Sequence, residues 1–149
     1  MAQTLLMELK TGIVKIKLHE DLAPAHIARM TKLVQEKFYD GIIFHRVIDG
    51  FMAQTGDPTG TGRGGSDYPD LRAEFSNGSF SRGTLGMARS QHPDSANSQF
   101  FICLEDAAWL NGQYTIIGQV TEGMEHIDAI AKGEPPQNPD KIISLRVGK

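Results

Sequence analysis

The sequence predicts a mainly β fold, six to eight short strands with two helices, arranged as a barrel or sandwich plugged by the helices. Three features predict it. Glycine occupies 16 of 149 positions, about 11% against a typical ~7%, which supplies many tight turns. From residue 42 to 121, short apolar runs alternate with Gly, Pro, Asp, Asn and Ser. Only two segments, well separated, carry helical periodicity.

Residues 4–9 and 13–18 alternate apolar and polar around Thr11-Gly12, the pattern of a hairpin. Ile13, Val14, Ile16 and Leu18 alternate imperfectly, with Lys15 and Lys17 outward. The first helix follows. Pro24 suits its first turn, where a missing N–H costs nothing. Ala23, Ile27, Met30 and Val34 recur at spacings of 4, 3 and 4, and His26, Arg29, Lys32 and Glu36 fall off that face. Asp40-Gly41 ends the unit. Candidate strands are 42–48, 51–54, 83–88, 99–104 and 115–120, and 55–81 is a long surface loop. A second helix fits 122–132, with Met124, Ile127, Ile130 and Ala131 on one face and Gly133 past its end. Pro135-Pro136 forbids its continuation. The last strand is 141–147. With no repeat and no linker, residues 1–149 make a single domain.

A chain this long buries enough surface to fold without disulfide or metal. Its net charge of −3 and pI near 5.9, with basic residues scattered, argue against a nucleic-acid partner. Cys103, the single cysteine, sits in an apolar run and reads as a buried, inert thiol. The N-terminus MAQTLLMELK has no basic region and is cut by Glu8, unlike a signal peptide. No stretch approaches the ~18 apolar residues of a membrane span. The expectation is a soluble, cytoplasmic protein with no membrane partner.

Gly60-Thr61-Gly62-Arg63-Gly64-Gly65 matches GxGxxG, but Ser66-Asp67-Tyr68-Pro69-Asp70 is not the helix that phosphate binding requires. A flexible or tightly turned loop is the better reading. The histidines at 19, 26, 45, 92 and 126 have no metal-ligand spacing. His45 reads as a satisfied core histidine, and His92 with Asp94 as a solvated loop. No serine stands in GxSxG. These absences leave no cofactor, metal or nucleophile to expect.

The stretch FHRVIDGFMAQTGD reads as two strands around Asp49-Gly50. Met52 and Gln54 share a face, with Ala53 opposite, and Arg46 faces away from His45 and Val47. Such a surface, with Phe51 beside it, is too apolar for solvated skin and too polar for a core. In NSQFFICL, Phe100, Ile102 and Leu104 take one side and Gln99, Phe101 and Cys103 the other. Either the strand is buried on both faces, or Phe101 floors an exterior pocket with Gln99 at its rim. Trp109, the only tryptophan, is either core or the rim of a binding surface.

FHRVIDGFMAQTGD, GTGRGG, LGMARS, NSQFFICL and WLNGQYTIIGQV, in that order, closely resemble the cyclophilin family of peptidyl-prolyl cis-trans isomerases, most of all its short single-domain bacterial forms. The likeness spans essentially the whole chain. It implies a closed eight-stranded antiparallel β-barrel capped by two α-helices, with a packed interior and an external groove for proline-containing peptides. It implies Arg46 as the catalytic arginine. Phe51, Met52, Phe101 and Leu110 would hold the proline ring. Gln54 and Gln99 would bond the peptide backbone, Ala88, Arg89 and Ser90 would form the edge along which it lies, and Gly62 would shape the adjacent loop. Arg89 stands where many members have Asn, and Tyr114 where His is frequent. Trp109 matches the residue of cyclosporin-sensitive members, so cyclosporin binding is expected. The implied partners are proline peptides and folding chains, with a chaperone role compatible, and the implied state is a monomer. A binding module without turnover would lack Arg46 or Gln54. Both are present, which favours the enzyme.

Overall fold

The computed structural model describes residues 3–148. β1 (Thr4–Leu9) and β2 (Gly12–Leu18) form the first hairpin, with Leu5 opposite Ile16 and Met7 opposite Val14. These four are buried, and Lys15 and Lys17 point outward. The imperfect alternation resolves on Ile13, which lies on the outer face and is exposed.

Helix α1 (Pro24–Gln35) buries Ile27, Met30 and Val34, as its periodicity predicts. His26 departs from the expectation, because it is buried as well. Glu74, from the long loop, is the reason. Its carboxylate accepts the backbone N–H groups of Ala25 at 3.3 Å and His26 at 2.9 Å, and the His26 ring Nδ1 at 2.5 Å. Ala23 offers no side-chain cap. Glu74 therefore satisfies the orphan donors of the helix start, and places a negative charge at the positive end of its dipole. Burial lowers the His26 pKa more than Glu74 raises it, so the ring is neutral at pH 7.

The remaining elements are β3 (Arg46–Ile48), β4 (Met52–Thr55), β5 (Thr84–Met87), β6 (Phe100–Cys103), β7 (Ile116–Glu122), α2 (Met124–Asp128) and β8 (Ser144–Gly148), with one 3-10 turn at Ala108–Leu110. All eight strands join one antiparallel sheet in the order β3-β4-β6-β5-β7-β2-β1-β8. Among the described residues β3 and β8 do not pair, so the sheet curls into a half-barrel that is open as a strand ladder. This corrects the closed barrel expected from sequence. Residues 42–45 and 141–143, expected as strand, instead run irregularly and meet each other. Phe44 N–H donates to Asp140 O at 2.8 Å, and Ile142 N–H to Ile42 O at 2.9 Å.

The second helix is five residues long rather than the expected eleven-residue span 122–132. Asp140 Oδ2 accepts the Ala131 N–H at 2.8 Å and draws the chain off the helical path. Lys132 Nζ covers the carbonyls of Asp128 and Ile130, both at 2.8 Å. Ile127 and Ile130 still reach the core. Thr55 belongs to β4, and beyond it the long loop contains no helix or strand.

The sheet is packed on both faces. One face, with both helices, encloses the main core, including Leu5, Ile16, Val47, Ala53, Leu85, Phe100 and Ile102. On the other face Met52, Phe80, Phe101, Cys103, Ala107, Leu110 and Ile116 form a second cluster. This second cluster is what a functional site can be built on.

Replacing Glu74 with Ala uncaps α1 and leaves the buried His26 ring N–H unpaired. Adding a lost cap to an unsatisfied buried donor gives about 2–4 kcal/mol of destabilisation. Urea unfolding of Glu74→Ala checks it, as a lower midpoint at unchanged slope.

Candidate active site

The β3–β4 hairpin turns through Asp49, Gly50 and Phe51, and its register sets Arg46 opposite Gln54, Val47 opposite Ala53 and Ile48 opposite Met52. Strand alternation sends Val47 and Ala53 into the main core. It leaves Arg46, Gln54 and Met52 on the outer face. Register with the next strands continues the row, with Gln54 opposite Phe101 on β6, and Phe101 opposite Gly86 on β5. A Cβ at Gly86 would lie 2.6 Å from both the Phe101 and Phe80 rings. Glycine there is what lets Phe101 lie flat on the sheet.

Arg46, Phe51, Met52, Gln54, Ala88, Arg89, Phe101, Leu110 and Tyr114 line one small pocket of about 110 Å³. Met52, Phe101 and Leu110 make its apolar floor. The Tyr114 ring meets Phe101 edge-on at 5.7 Å between centroids. Arg89 lies over Tyr114 at 4.5 Å, and its guanidinium donates to the carbonyls of Gln113 and Ser90. Both readings of NSQFFICL hold in part: β6 is buried on both faces, and Phe101 still floors an exterior pocket, while Gln99 lines the adjoining one. Trp109 is 66% exposed, with its ring 5.6 Å from Phe51, and stands at the rim rather than in the lining. Cys103 is buried beneath, and burial pushes its thiol up to about 12, which leaves it inert as expected.

A wider polar pocket of about 570 Å³ adjoins the first and shares Gln54, Ala88 and Arg89 with it. Gly62, Ser90 and Gln99 line it, together with Arg63, Ser66, Asp70, Ser95 and Asn97, which the sequence reading did not select. A chain of hydrogen bonds links the two. Arg46 Nη1 donates to Gln54 Oε1 at 3.4 Å, and Gln54 Nε2 to Gln99 Oε1 at 2.9 Å. Gln99 Nε2 in turn donates to the carbonyls of Gly62 and Gly64 at 3.1 and 2.9 Å. Each amide is thus oriented by its neighbours.

The glycine-rich loop ends that chain, and it is folded around an anion of its own. The Asp57 carboxylate, almost fully buried, accepts the N–H groups of Thr59 at 2.8 Å, Thr61 at 3.1 Å and Gly62 at 2.6 Å, and the Thr59 hydroxyl at 2.7 Å. Donors that a phosphate would use are already spent. Burial disfavours the Asp57 charge, but these hydrogen bonds outweigh it and hold the pKa at about 2. His45 lies behind Gly62 and is buried. It is not a satisfied core histidine, because neither ring nitrogen has a partner among the described residues. Burial pushes its pKa down, opposed by nearby Asp57. His92 and Asp94 are exposed but not idle, since Asp94 Oδ1 accepts the Ala73 N–H at 2.9 Å. On the far side of Arg46, Glu134 Oε1 accepts its Nε–H at 3.0 Å. Nothing local in the sequence points to Glu134, which is 88 residues away.

The model of the cyclophilin-type peptidyl-prolyl cis-trans isomerase family matches residues 4–147. The chain belongs to the cyclophilin family. A probable peptidyl-prolyl cis-trans isomerase of Brucella suis biovar 1 is 52% identical, over 97% of this chain and 82% of its own length. A peptidyl-prolyl cis-trans isomerase of Synechococcus elongatus is 39% identical, over 95% and 94%. A crystal structure of a Cryptosporidium parvum cyclophilin, in the presence of the dipeptide Ala-Pro, superposes with a TM-score of 0.91 at 31% identity, covering 99% of each chain. The family is one of enzymes, and the resemblance read from the sequence motifs is the same one.

Asp57 gives the site a stability signature. Its folded-state pKa lies below its ordinary value. Its contribution is therefore complete above about pH 4 and lost as pH falls towards about 2, and a shift of this size is worth about 2 kcal/mol. Asp57→Asn should lose stability of that order at pH 7 and flatten the acid limb. Denaturant midpoints measured between pH 2 and 7 check it.

Proposed function

We propose that this chain accelerates rotation about Xaa-Pro bonds with Arg46 as the catalytic donor and the small apolar pocket as the proline site. The observation that carries this reading is Arg46 standing at the edge of a pocket floored by Met52, Phe101 and Leu110. Phe51 closes the pocket's side. Gln54 and Gln99 present oriented amides to the peptide backbone, and Ala88, Arg89 and Ser90 form the wall along which it runs, next to the loop at Gly62. Tyr114 braces Phe101 edge-on from the pocket wall.

The prolyl bond has a barrier of ~18–20 kcal/mol, and isomerises unaided in tens to hundreds of seconds. No bond breaks, so the reaction needs neither nucleophile nor metal. Twisting the amide localises the nitrogen lone pair and makes that nitrogen a hydrogen-bond acceptor. A guanidinium aimed there binds the twisted state better than either planar state. A charge-assisted hydrogen bond of roughly 1.5–3 kcal/mol converts to roughly 10- to 200-fold in rate. The rest comes from gripping the ring in a fixed pocket while the upstream carbonyl swings.

The reading extends to proline-containing peptides and folding chains as substrates, in the cytoplasm, with the enzyme as a monomer. It extends to cyclosporin as an inhibitor, for which exposed Trp109 beside Phe51 is the expected contact. It takes the curled sheet as a working barrel, its open edges held by the backbone bonds between residues 41–44 and 140–142.

Exchange NMR on an Ala-Pro peptide tests the reading. Wild type should speed cis–trans exchange, and Arg46→Ala should lose at least roughly tenfold while staying folded. Binding without acceleration would leave a proline-binding module instead. Because arginine keeps its charge, activity should be nearly flat from about pH 6 to 9. Burial pushes His45 and His26 down, towards the acid end of that range. A bell-shaped profile would sink the mechanism.

A further inference from the structure

The ion pair between Arg46 and Glu134 is built by backbone. Val47 and Gly133 exchange both hydrogen bonds, N–H to O, at 2.8 Å each. In an antiparallel bridge, the residue before one partner faces the residue after the other. Arg46 therefore faces Glu134, and Glu134 Oε1 takes the Nε–H at 3.0 Å. The strap is tight. Gly133 has φ +142°, and a Cβ on it would come within 2.6 Å of Pro136 Cα. Glu134 is thus delivered to one place, beside β3, by a segment with little freedom.

Arg46 is held from two sides, by Glu134 at Nε and by Gln54 at Nη1, where the contact is a longer 3.4 Å. Nη2 has no hydrogen-bond partner among the described residues. Arg46 lines the proline pocket, while Glu134 lines neither pocket. The Arg46 side chain is 45% exposed and that of Glu134 56%, and pairs this wet add little to stability. We propose that Glu134 is a positioning residue, whose carboxylate fixes the Nε edge of Arg46 and leaves the Nη side for the prolyl nitrogen. This rests on the reading of Arg46 as the donor.

Two effects of Glu134 oppose each other. Its charge tempers the pull of Arg46 on the substrate, and its hydrogen bond fixes the guanidinium. Solvent screens the first. The second sets whether a long, half-exposed side chain is in place at all, so orientation wins.

The experiment compares Glu134→Ala, Glu134→Gln and wild type on the Ala-Pro peptide. Glu134→Ala should lower kcat about 3- to 10-fold with KM unchanged, the mark of an interaction used in the transition state. Glu134→Gln should stay within about twofold, because its amide oxygen still accepts the Nε–H. In an Arg46→Ala background, Glu134→Ala should have no further effect. An unchanged or raised kcat in Glu134→Ala would overturn the proposal, as would Glu134→Gln falling as far as Glu134→Ala. Nitrogen-edited NMR of the Arg46 Nε–H gives a readout that needs no turnover. It should be protected from solvent exchange in wild type and in Glu134→Gln, and exposed in Glu134→Ala. If wild type turns over no peptide, the isomerase reading fails, and protection lost in Glu134→Ala would still support Glu134 as the anchor of Arg46. Equal exchange in all three proteins would refute that anchoring.

Discussion

The register of β3, β4, β6 and β5 is the constraint on which the site depends. Two rows of side chains cross these four strands. Val47, Ala53, Ile102 and Leu85 face inward and are buried in the main core. Arg46, Gln54, Phe101 and Gly86, one residue along, face outward. A slip of one residue would exchange the rows, placing a guanidinium and an amide in the core. The cost of burying those groups unpaired is what holds the register. The main core thus fixes the functional row without touching it, and rigidity in the groove follows from packing on the opposite face of the sheet.

The glycine-rich loop shows the same economy. A GxGxxG sequence is a set of backbone donors free to converge, and here they converge on Asp57. The buried carboxylate plays the part that a phosphate plays elsewhere. The loop, so fastened, offers the carbonyls of Gly62 and Gly64 to Gln99. Through Gln99 and Gln54 the fastening reaches Arg46. An internal anion at one end and Glu134 at the other bracket the polar row, and the apolar floor lies between.

Much of this was legible from the sequence because it is local. Alternation in FHRVIDGFMAQTGD and NSQFFICL assigned the two faces of β3, β4 and β6, and period-four spacing assigned the buried face of α1. What was not legible is non-local. His26 looked polar because its partner, Glu74, lies in a loop with no periodicity of its own. Asp140 shortened α2 from outside the helix, so the apolar pattern of 122–132 overstated its length. The edges of the sheet were misjudged because residues 42–45 and 141–143 are apolar enough for strands, yet irregular where they meet. Glu134 stands in a Gly-Glu-Pro-Pro segment that reads only as a helix stop. The backbone bridge that gives it a role joins positions 86 residues apart.

Catalysis by rotation makes a particular demand on such a scaffold. The substrate must move while the protein does not. A charge sunk in the core would have to be matched by a buried counter-ion, at a desolvation cost that good geometry barely offsets. Arg46 avoids that cost by remaining half-exposed, but exposure leaves a long side chain free to wander. Cross-strand contacts on both flanks remove that freedom without burying the charge, with Gln54 at 3.4 Å on one side and Glu134 at 3.0 Å on the other. The pocket floor is held differently, by close packing of Met52, Phe101 and Leu110 over a glycine that gives Phe101 its room. In the proposed reaction the ring is gripped by shape and the nitrogen is met by charge. Arg46, Met52 and Phe101 all take their places from the register of one sheet.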